Sequence, residues 1–116
     1  MGKKKVLPEN YLEKTPAKNA DIAWSAEENG VVTLEIENKG VFNKIAQKLF
    51  NKPKVSYIHL DELGSFVWQV TDGKKNIIEI GKEVEERFKD AANPLYERLA
   101  EYFRILDSYG FVKWKQ

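Results

Sequence analysis

The sequence contains no cysteine and only one histidine, His59, among its 116 residues. The absence of cysteine excludes disulfides, thiolate nucleophiles and cysteine-ligated zinc or iron–sulfur sites. Nineteen basic residues against eighteen acidic ones give a formal net charge of +1, so no strong overall field favours nucleic acid or an anionic membrane. Neither a signal-like segment nor an apolar run long enough to span a membrane occurs, which predicts a soluble cytoplasmic protein.

The length and the first residues indicate one domain behind a short arm. At 116 residues the chain can bury a core of its own. Residues 1–15 show no hydrophobic period, whereas alternating and helical periods follow them. The sequence therefore predicts a flexible N-terminal arm over residues 1–15 and a single domain over residues 16–116.

A hairpin is predicted around the Asn-Gly dipeptide at residues 29–30, a strong turn signal between two β-rich runs. A two-residue loop would place Trp24 on the opposite face of the sheet from Leu34. A three-residue loop, with the glycine in the left-handed bulge conformation, instead pairs Trp24 with Leu34 and Ile22 with Ile36. This register collects the apolar residues on one face, so it is the one we predict.

Two further segments complete the first half of the domain. Residues 40–53 carry apolar side chains at helical spacing and lysines on another face, which predicts a short amphipathic helix closed by Pro53. The alternating stretch "KVSYIHL" predicts a third strand over Val55–Leu60. In this alternation, Ile58 and Leu60 face the core.

Three helices are predicted next, each with its own start signal. Asp61 can cap the first helix, and Asn76 with Glu79 has the spacing of a capping box at the second. Asn93 followed by proline predicts the start of the third helix. Apolar residues recur at helical spacing after each of these positions, and the final "FVKWKQ" predicts a short strand or wing.

His59 stands close to two carboxylates, Asp61 and Glu62, which raises the question of a catalytic cluster. Both carboxylates fit a helix start, because the macrodipole favours negative charge there. The sequence offers no second histidine, cysteine or other obvious nucleophile with which His59 could form an activated pair. We interpret His59 as an ordinary strand residue.

The predicted order is a three-stranded antiparallel sheet followed by three helices, with an extra amphipathic helix between strands two and three. This α+β order is compatible with a winged helix-turn-helix domain. The stretch from the third strand onward also resembles the PqqD-like family, named for protein D of pyrroloquinoline quinone biosynthesis. The residues that match the family pattern are Leu60, Asp61, Trp68, Asp72, Gly73 and Glu79.

The resemblance implies a protein that is not an enzyme and needs no cofactor. It implies a module that binds the leader of a ribosomally made precursor peptide and presents it to a modifying enzyme, commonly of the radical S-adenosylmethionine type. The peptide would add as a strand to the edge of Lys54–Leu60, and side chains of the third helix would shape the groove. The implied peptide-binding residues are Val55, Tyr57, Ile58, His59, Arg98, Tyr102 and Ile105.

Binding of DNA by a winged helix is the alternative. The third helix carries Arg98 and Arg104 but also three carboxylates, so attraction to phosphates would be largely cancelled there. The better basic surface is the lysine-rich segment at residues 40–53, which is also where the chain departs from the family's short connection. Nucleic acid is therefore the less favoured partner.

Overall fold

The computed structural model describes residues 9–38 and 54–115 as an α+β fold with two antiparallel sheets and three α-helices. Residues 40–53, with the predicted amphipathic helix, lie outside this description. The elements, in chain order, are a 3-10 helix (Glu9–Glu13), β1 (Thr15–Lys18), β2 (Ala23–Ala26), β3 (Val32–Asn38), β4 (Lys54–His59), α1 (Glu62–Val70), α2 (Ile77–Phe88), a 3-10 helix (Lys89–Ala92), α3 (Leu95–Ser108) and β5 (Val112–Lys115). One sheet has the order β2-β3-β4, and β1 pairs with β5 in the other.

The β2–β3 hairpin has the predicted register, with Trp24 opposite Leu34. Its loop spans three residues, because the Glu27 amide still donates to the Val31 carbonyl at 2.9 Å. Gly30 ends the loop with φ +90°, a conformation that favours glycine. The predicted loop length and bulge glycine are therefore both confirmed.

The paired strand stops one residue short of the predicted Ile22–Ile36 pair, although the register is the predicted one. The strand β2 begins one residue later, at Ala23, and the Ile22 amide donates to the Asn19 carbonyl at 3.0 Å in a turn. Ile22 nevertheless packs against the core as a partly buried residue.

β4 pairs with β3 in an antiparallel ladder that sets Ile58 opposite Leu34. Residues opposite each other share a face, so Ile58 lies on the core side of the sheet, as predicted. Leu34 is fully buried, however, whereas Ile58 keeps 37% of its surface exposed. The half-buried Leu60 packs against the core, as predicted. Ile58 points toward the core side but is not part of the core.

Side-chain caps begin the first two helices. Asp61 Oδ1 accepts from the Gly64 amide at 2.7 Å and so caps α1. At α2, Asn76 and Glu79 exchange two bonds of 2.9 Å, which is the complete capping box. Both predicted starts are confirmed by these bonds.

The start of α3 differs by one residue from the prediction. Pro94 occupies the N-cap position, and no side chain caps the first turn. The first backbone bond runs from the Arg98 amide to the Pro94 carbonyl at 3.0 Å. The proposed Asn93 cap is therefore wrong, although the helix begins within one residue of the predicted start.

The N-terminal region is more ordered than an arm. Residues 9–13 form a 3-10 helix, and Tyr11 and Leu12 pack against the core. Pro16 in β1 is fully buried. Residues 11, 12 and 16, at or next to the predicted arm, therefore contribute apolar side chains to the core.

Ser65 ties the sheet to α1 beneath this core. Its hydroxyl accepts from the Val32 amide at 2.8 Å and donates to the Leu60 carbonyl at 3.2 Å. One buried side chain thus joins the start of β3, the end of β4 and the first turn of α1. The largest fully buried side chains of the core are Trp68, Phe103, Leu34, Ile77, Ile80 and Leu99.

Candidate functional site

β4 is the outer strand of its sheet, and no strand among the described residues pairs with its other edge. The Leu60 amide donates to the Val32 carbonyl at 2.9 Å, which identifies this pair as hydrogen-bonded. Pairs alternate along an antiparallel ladder, so the backbone groups of Val55, Tyr57 and His59 point away from β3. These three residues present N–H and C=O groups at the open edge.

Three large apolar side chains of β4 are exposed. Tyr57 is 61% exposed and Val55 is 38% exposed, and both lie on the face of the sheet that points away from the core. Ile58 projects from the other face. No charged residue occurs between Val55 and Ile58. The edge therefore offers apolar contacts on both sides of the strand.

His59 lies at the end of this edge and contacts the neighbouring strand. Its Nδ1 atom is 2.8 Å from the Thr33 hydroxyl, directly across the ladder, and the side chain is exposed. This cross-strand hydrogen bond fits the sequence interpretation of His59 as a strand residue.

An open pocket of about 350 Å³ lies between the start of α1 and one face of α3. It stands at the point where β4 leads into α1, since Asp61 follows β4 after one residue. Three of the residues implied by the family resemblance, Arg98, Tyr102 and Ile105, meet here. The full lining is Asp61, Leu63, Gly64, Glu97, Arg98, Glu101, Tyr102 and Ile105.

Tyr102 forms the floor of the pocket and locks α3 to α1. Its hydroxyl donates to the Gly64 carbonyl at 2.8 Å. Burial of the phenol raises the pKa of Tyr102 well above its ordinary value of 10.0, and the nearby Asp61 carboxylate raises it further. The phenol therefore remains a neutral hydrogen-bond donor, and its ring provides an apolar surface.

Gly64 makes this approach possible. A Cβ atom there would lie 3.2 Å from Tyr102 Cε1 and 3.0 Å from Asp61 Oδ1, closer than ordinary van der Waals contact. Sequence reasoning identified Asp61 only as a cap and missed both Leu63 and Gly64 as lining residues. The available signal was a glycine in the first turn of a helix, which usually has a packing reason.

Two charged side chains of the pocket already bind other groups of the protein, so they are less available to contact a ligand than the sequence suggests. Arg98 Nη1 donates to the Ala91 carbonyl at 2.9 Å, so this guanidinium braces the preceding 3-10 helix. Glu101 accepts from Arg104 at 3.2 Å. Ile105, at 45% exposed, is the most accessible apolar residue of the lining.

The site thus consists of an open strand edge that leads into a pocket with an apolar floor. A comparison with protein families finds that the model described as Coenzyme PQQ synthesis protein D (PqqD) matches residues 31–112. The chain belongs to the PqqD family. No curated protein and no solved structure gives a significant match.

The PqqD motif residues are mainly structural in this chain. Trp68 is fully buried in the core, and Glu79 completes the capping box of α2. Asp72 Oδ1 accepts from the Lys74 amide at 2.9 Å, and Gly73 has φ +80°, so the pair forms the turn between α1 and α2. Only Asp61 of the motif also lines the pocket. The motif residues therefore stabilise the arrangement of the three helices around the site.

Two further findings concern metals and membranes. Within residues 9–38 and 54–115, no group of three histidine, aspartate or glutamate side chains is placed to hold a metal ion. Among the helices of these same ranges, none is both long and apolar enough to cross a membrane.

Proposed function

We propose that this PqqD-family chain is a non-catalytic module that binds the leader of a ribosomally synthesised precursor peptide. The leader adds to β4 as a further strand and places side chains in the pocket between α1 and α3. The module then presents the peptide to a modifying enzyme, of the radical S-adenosylmethionine type that partners the resembled family. In this proposal the domain is a winged helix-turn-helix and works in the cytoplasm.

The single observation that carries the proposal is the open edge of β4. Strand addition draws affinity from backbone hydrogen bonds, and it requires a row of N–H and C=O groups that face outward. Val55, Tyr57 and His59 supply that row. Specificity in this mode comes from pockets for alternate side chains, and the pocket near Ile105 lies at the end of the same strand.

DNA binding is the weaker alternative. A recognition helix needs free cationic side chains for phosphates. On α3, Arg98 is bonded to a backbone carbonyl and Arg104 to Glu101, while Glu97 and Asp107 remain exposed. These contacts leave α3 with little attraction for a polyanion.

The test begins with the full-length chain immobilised and exposed to the native lysate. A retained peptide is identified by mass spectrometry, synthesised and titrated into the free protein by calorimetry. A peptide that binds with a defined stoichiometry supports the proposal. Retention of DNA fragments, with no peptide, would favour the alternative.

Tyr57→Pro tests strand addition itself. Proline removes the amide that Tyr57 presents at the open edge, and a non-ladder position of an edge strand tolerates it. Tyr57→Ala is the matched control, since it removes the same ring but keeps the amide. We expect Tyr57→Pro to lose at least about 1 kcal/mol more binding free energy than Tyr57→Ala. Equal losses would exclude backbone pairing at this position.

Ile105→Glu tests the pocket. The substitution places a charge at an exposed apolar position, so the fold should persist, which circular dichroism verifies. We expect a loss of two or more kcal/mol in peptide binding, a size typical of an anchor position. If Ile105→Glu binds as wild type does, while replacement of Lys44 and Lys48 abolishes binding, the working surface is the segment at residues 40–53.

A further inference from the structure

The pocket between α1 and α3 carries a charge opposite in sign to that of the whole chain. Its lining contains three carboxylates and one guanidinium, a formal charge of −2, whereas the chain carries +1. The carboxylates belong to Asp61, Glu97 and Glu101. The guanidinium of Arg98 donates to the Ala91 carbonyl at 2.9 Å, so it is directed toward the preceding 3-10 helix. A ligand in this pocket therefore experiences a negative potential.

Of the three carboxylates, Glu97 is the most available to a ligand. Asp61 accepts from the Gly64 amide at 2.7 Å, and Glu101 is paired with Arg104 at 3.2 Å. The Glu97 side chain is exposed, and it has no hydrogen bond or ion pair with any residue that the structure describes. Its negative charge therefore has no partner within this part of the chain.

The pocket has an acidic end and an apolar end. Glu97, Glu101 and Ile105 follow one another at intervals of four residues, which places them along one side of α3. Eight residues of α-helix rise about 12 Å, so the carboxylate of Glu97 and the apolar side chain of Ile105 lie far apart in the same lining. The Tyr102 ring supplies an apolar floor between them. A side chain that has an aliphatic stem and a cationic head matches this arrangement.

We propose that the pocket binds a lysine or arginine side chain of the peptide, with its aliphatic stem on the Tyr102 ring and its charged head at Glu97. An apolar side chain of the same peptide then occupies the end at Ile105. This specificity rests on the proposed function, and it names the class of leader that the site selects. A leader with a basic residue close to its strand-forming segment is favoured, whereas an acidic segment is disfavoured because like charges meet there.

The expected selectivity has a definite size. A solvent-exposed ion pair changes affinity by up to about fivefold. Discrimination between a basic and an acidic side chain is larger, because the first is attracted by the carboxylates and the second is repelled by them. The composition of the bound peptides is therefore a more sensitive readout than the affinity of any single one.

The first experiment selects binders from a displayed library of random linear peptides on the immobilised full chain. We expect lysine and arginine to be enriched at one position of the selected peptides. Glu97→Gln should remove this enrichment, and Glu97→Lys should replace it with aspartate and glutamate. Glu86→Gln is the matched control, because it removes the same charge from an exposed position of α2 outside this pocket. The control should select the same basic residues as wild type.

The second experiment titrates one selected peptide by calorimetry, with and without its basic side chain. Norleucine in place of that residue keeps an aliphatic stem but removes the charge. It should raise the dissociation constant by about two- to fivefold with wild type and leave it unchanged with Glu97→Gln. The difference should shrink at high salt, since the pair is exposed. Circular dichroism verifies that Glu97→Gln remains folded.

The outcomes separate this specificity from the proposed function. Selected peptides without basic enrichment, or an enrichment that persists in Glu97→Gln, would overturn the specificity and leave peptide binding standing. A library from which wild type retains no peptide would overturn both. If Glu97→Gln lowers the melting temperature but selects the same basic residues, the carboxylate serves only the first turn of α3, where the macrodipole favours it, and the specificity is likewise overturned.

Discussion

The two sheets of this protein differ in how well their outer strands are covered. β1 is closed: the Pro16 carbonyl accepts from the Gly73 amide at 3.0 Å, and the Lys14 carbonyl just before it accepts from Ile77 at 3.1 Å. Its partner β5 carries two exposed lysines, Lys113 and Lys115. The edge of β4 between Val55 and Ile58, in contrast, has neither a covering segment nor a charged side chain among the described residues.

Proline, lysine and a covering loop are the usual means by which proteins block unwanted strand pairing. The chain uses all three on the β1–β5 sheet, yet leaves the apolar stretch from Val55 to Ile58 accessible. An exposed edge of this kind is a template for pairing with another strand. The two sheets therefore differ in how far their outer edges are protected against further strand pairing.

The largest effect should come from Phe103, which connects the two regions. Its buried ring contacts Trp114 of β5 at 6.2 Å and Tyr102 at 5.1 Å, centroid to centroid. We expect Phe103→Ala to lower the free energy of unfolding by about 3–5 kcal/mol. Urea denaturation measures this loss, and Ile105→Ala on the exposed face of the same helix should cost less than about 1 kcal/mol.

Because one core supports both sheets, the wild-type transition should be single. Circular dichroism and tryptophan fluorescence should then give coincident urea curves. Separate transitions would contradict a shared core and would make the two sheets independent units.

Proline substitution should distinguish the two sides of β4. The Ser56 amide faces β3 in the pair with Ile36, so Ser56→Pro removes a ladder bond and should cost about 1–3 kcal/mol of unfolding free energy. The neighbouring Tyr57→Pro removes only an outward amide and should cost clearly less. Thermal and urea denaturation of the pair provide the measurement. The reverse order of stability would show that the ladder is shifted by one residue.

Alkaline pH should weaken the joint beneath the pocket. The pKa of Tyr102 is raised in the folded chain. The neutral phenol therefore contributes fully to the free energy of unfolding below the unfolded-state pKa of 10.0, and this contribution is lost as the pH rises toward the folded-state pKa. The loss should approach about 1.4 kcal/mol per pH unit in that window. Tyr11 and Tyr96 also have raised pKa values, so the informative quantity is the difference from Tyr102→Phe. Identical alkaline slopes for the two proteins would contradict this role.

The smallest effect is expected at His59. Its exposed ring contacts Thr33 across the ladder, and glutamine can make a similar hydrogen bond. We expect His59→Gln to change stability by no more than about 0.5 kcal/mol and to leave peptide affinity nearly unchanged, because the backbone is what β4 contributes. A tenfold loss of affinity at unchanged melting temperature would assign the imidazole a direct role.

Local signals predicted most of the fold. The hairpin register followed from the alternation of apolar residues and from Gly30, and the starts of α1 and α2 followed from cap chemistry at Asp61 and Asn76. The errors occurred where tertiary packing outweighs local pattern. Tyr11 and Leu12 show no period, yet they are held by the core that they cover.

The candidate site was predicted only in part. Periodicity assigned Tyr102 and Ile105 to one helix, and the family resemblance singled them out together with β4. Neither the periodicity nor the resemblance could reveal that Arg98 donates to the Ala91 carbonyl, because that bond depends on how the chain turns before α3. Gly64 was missed for the same reason, since its role depends on a ring from a helix 38 residues away in sequence.

The sequence by itself determined the β2–β3 hairpin, β4 and the three α-helices, since alternation, helical spacing and capping residues act within a few positions of one another, whereas it did not predict β1. Only the tertiary structure decided which side of β4 is open and which side chains of α3 meet the start of α1. Those outcomes depend on contacts between distant segments, above all the Ser65 bridge and the bond from Tyr102 to Gly64. Local pattern carries no information about such contacts, because the free energy that fixes them is gained only when the core closes.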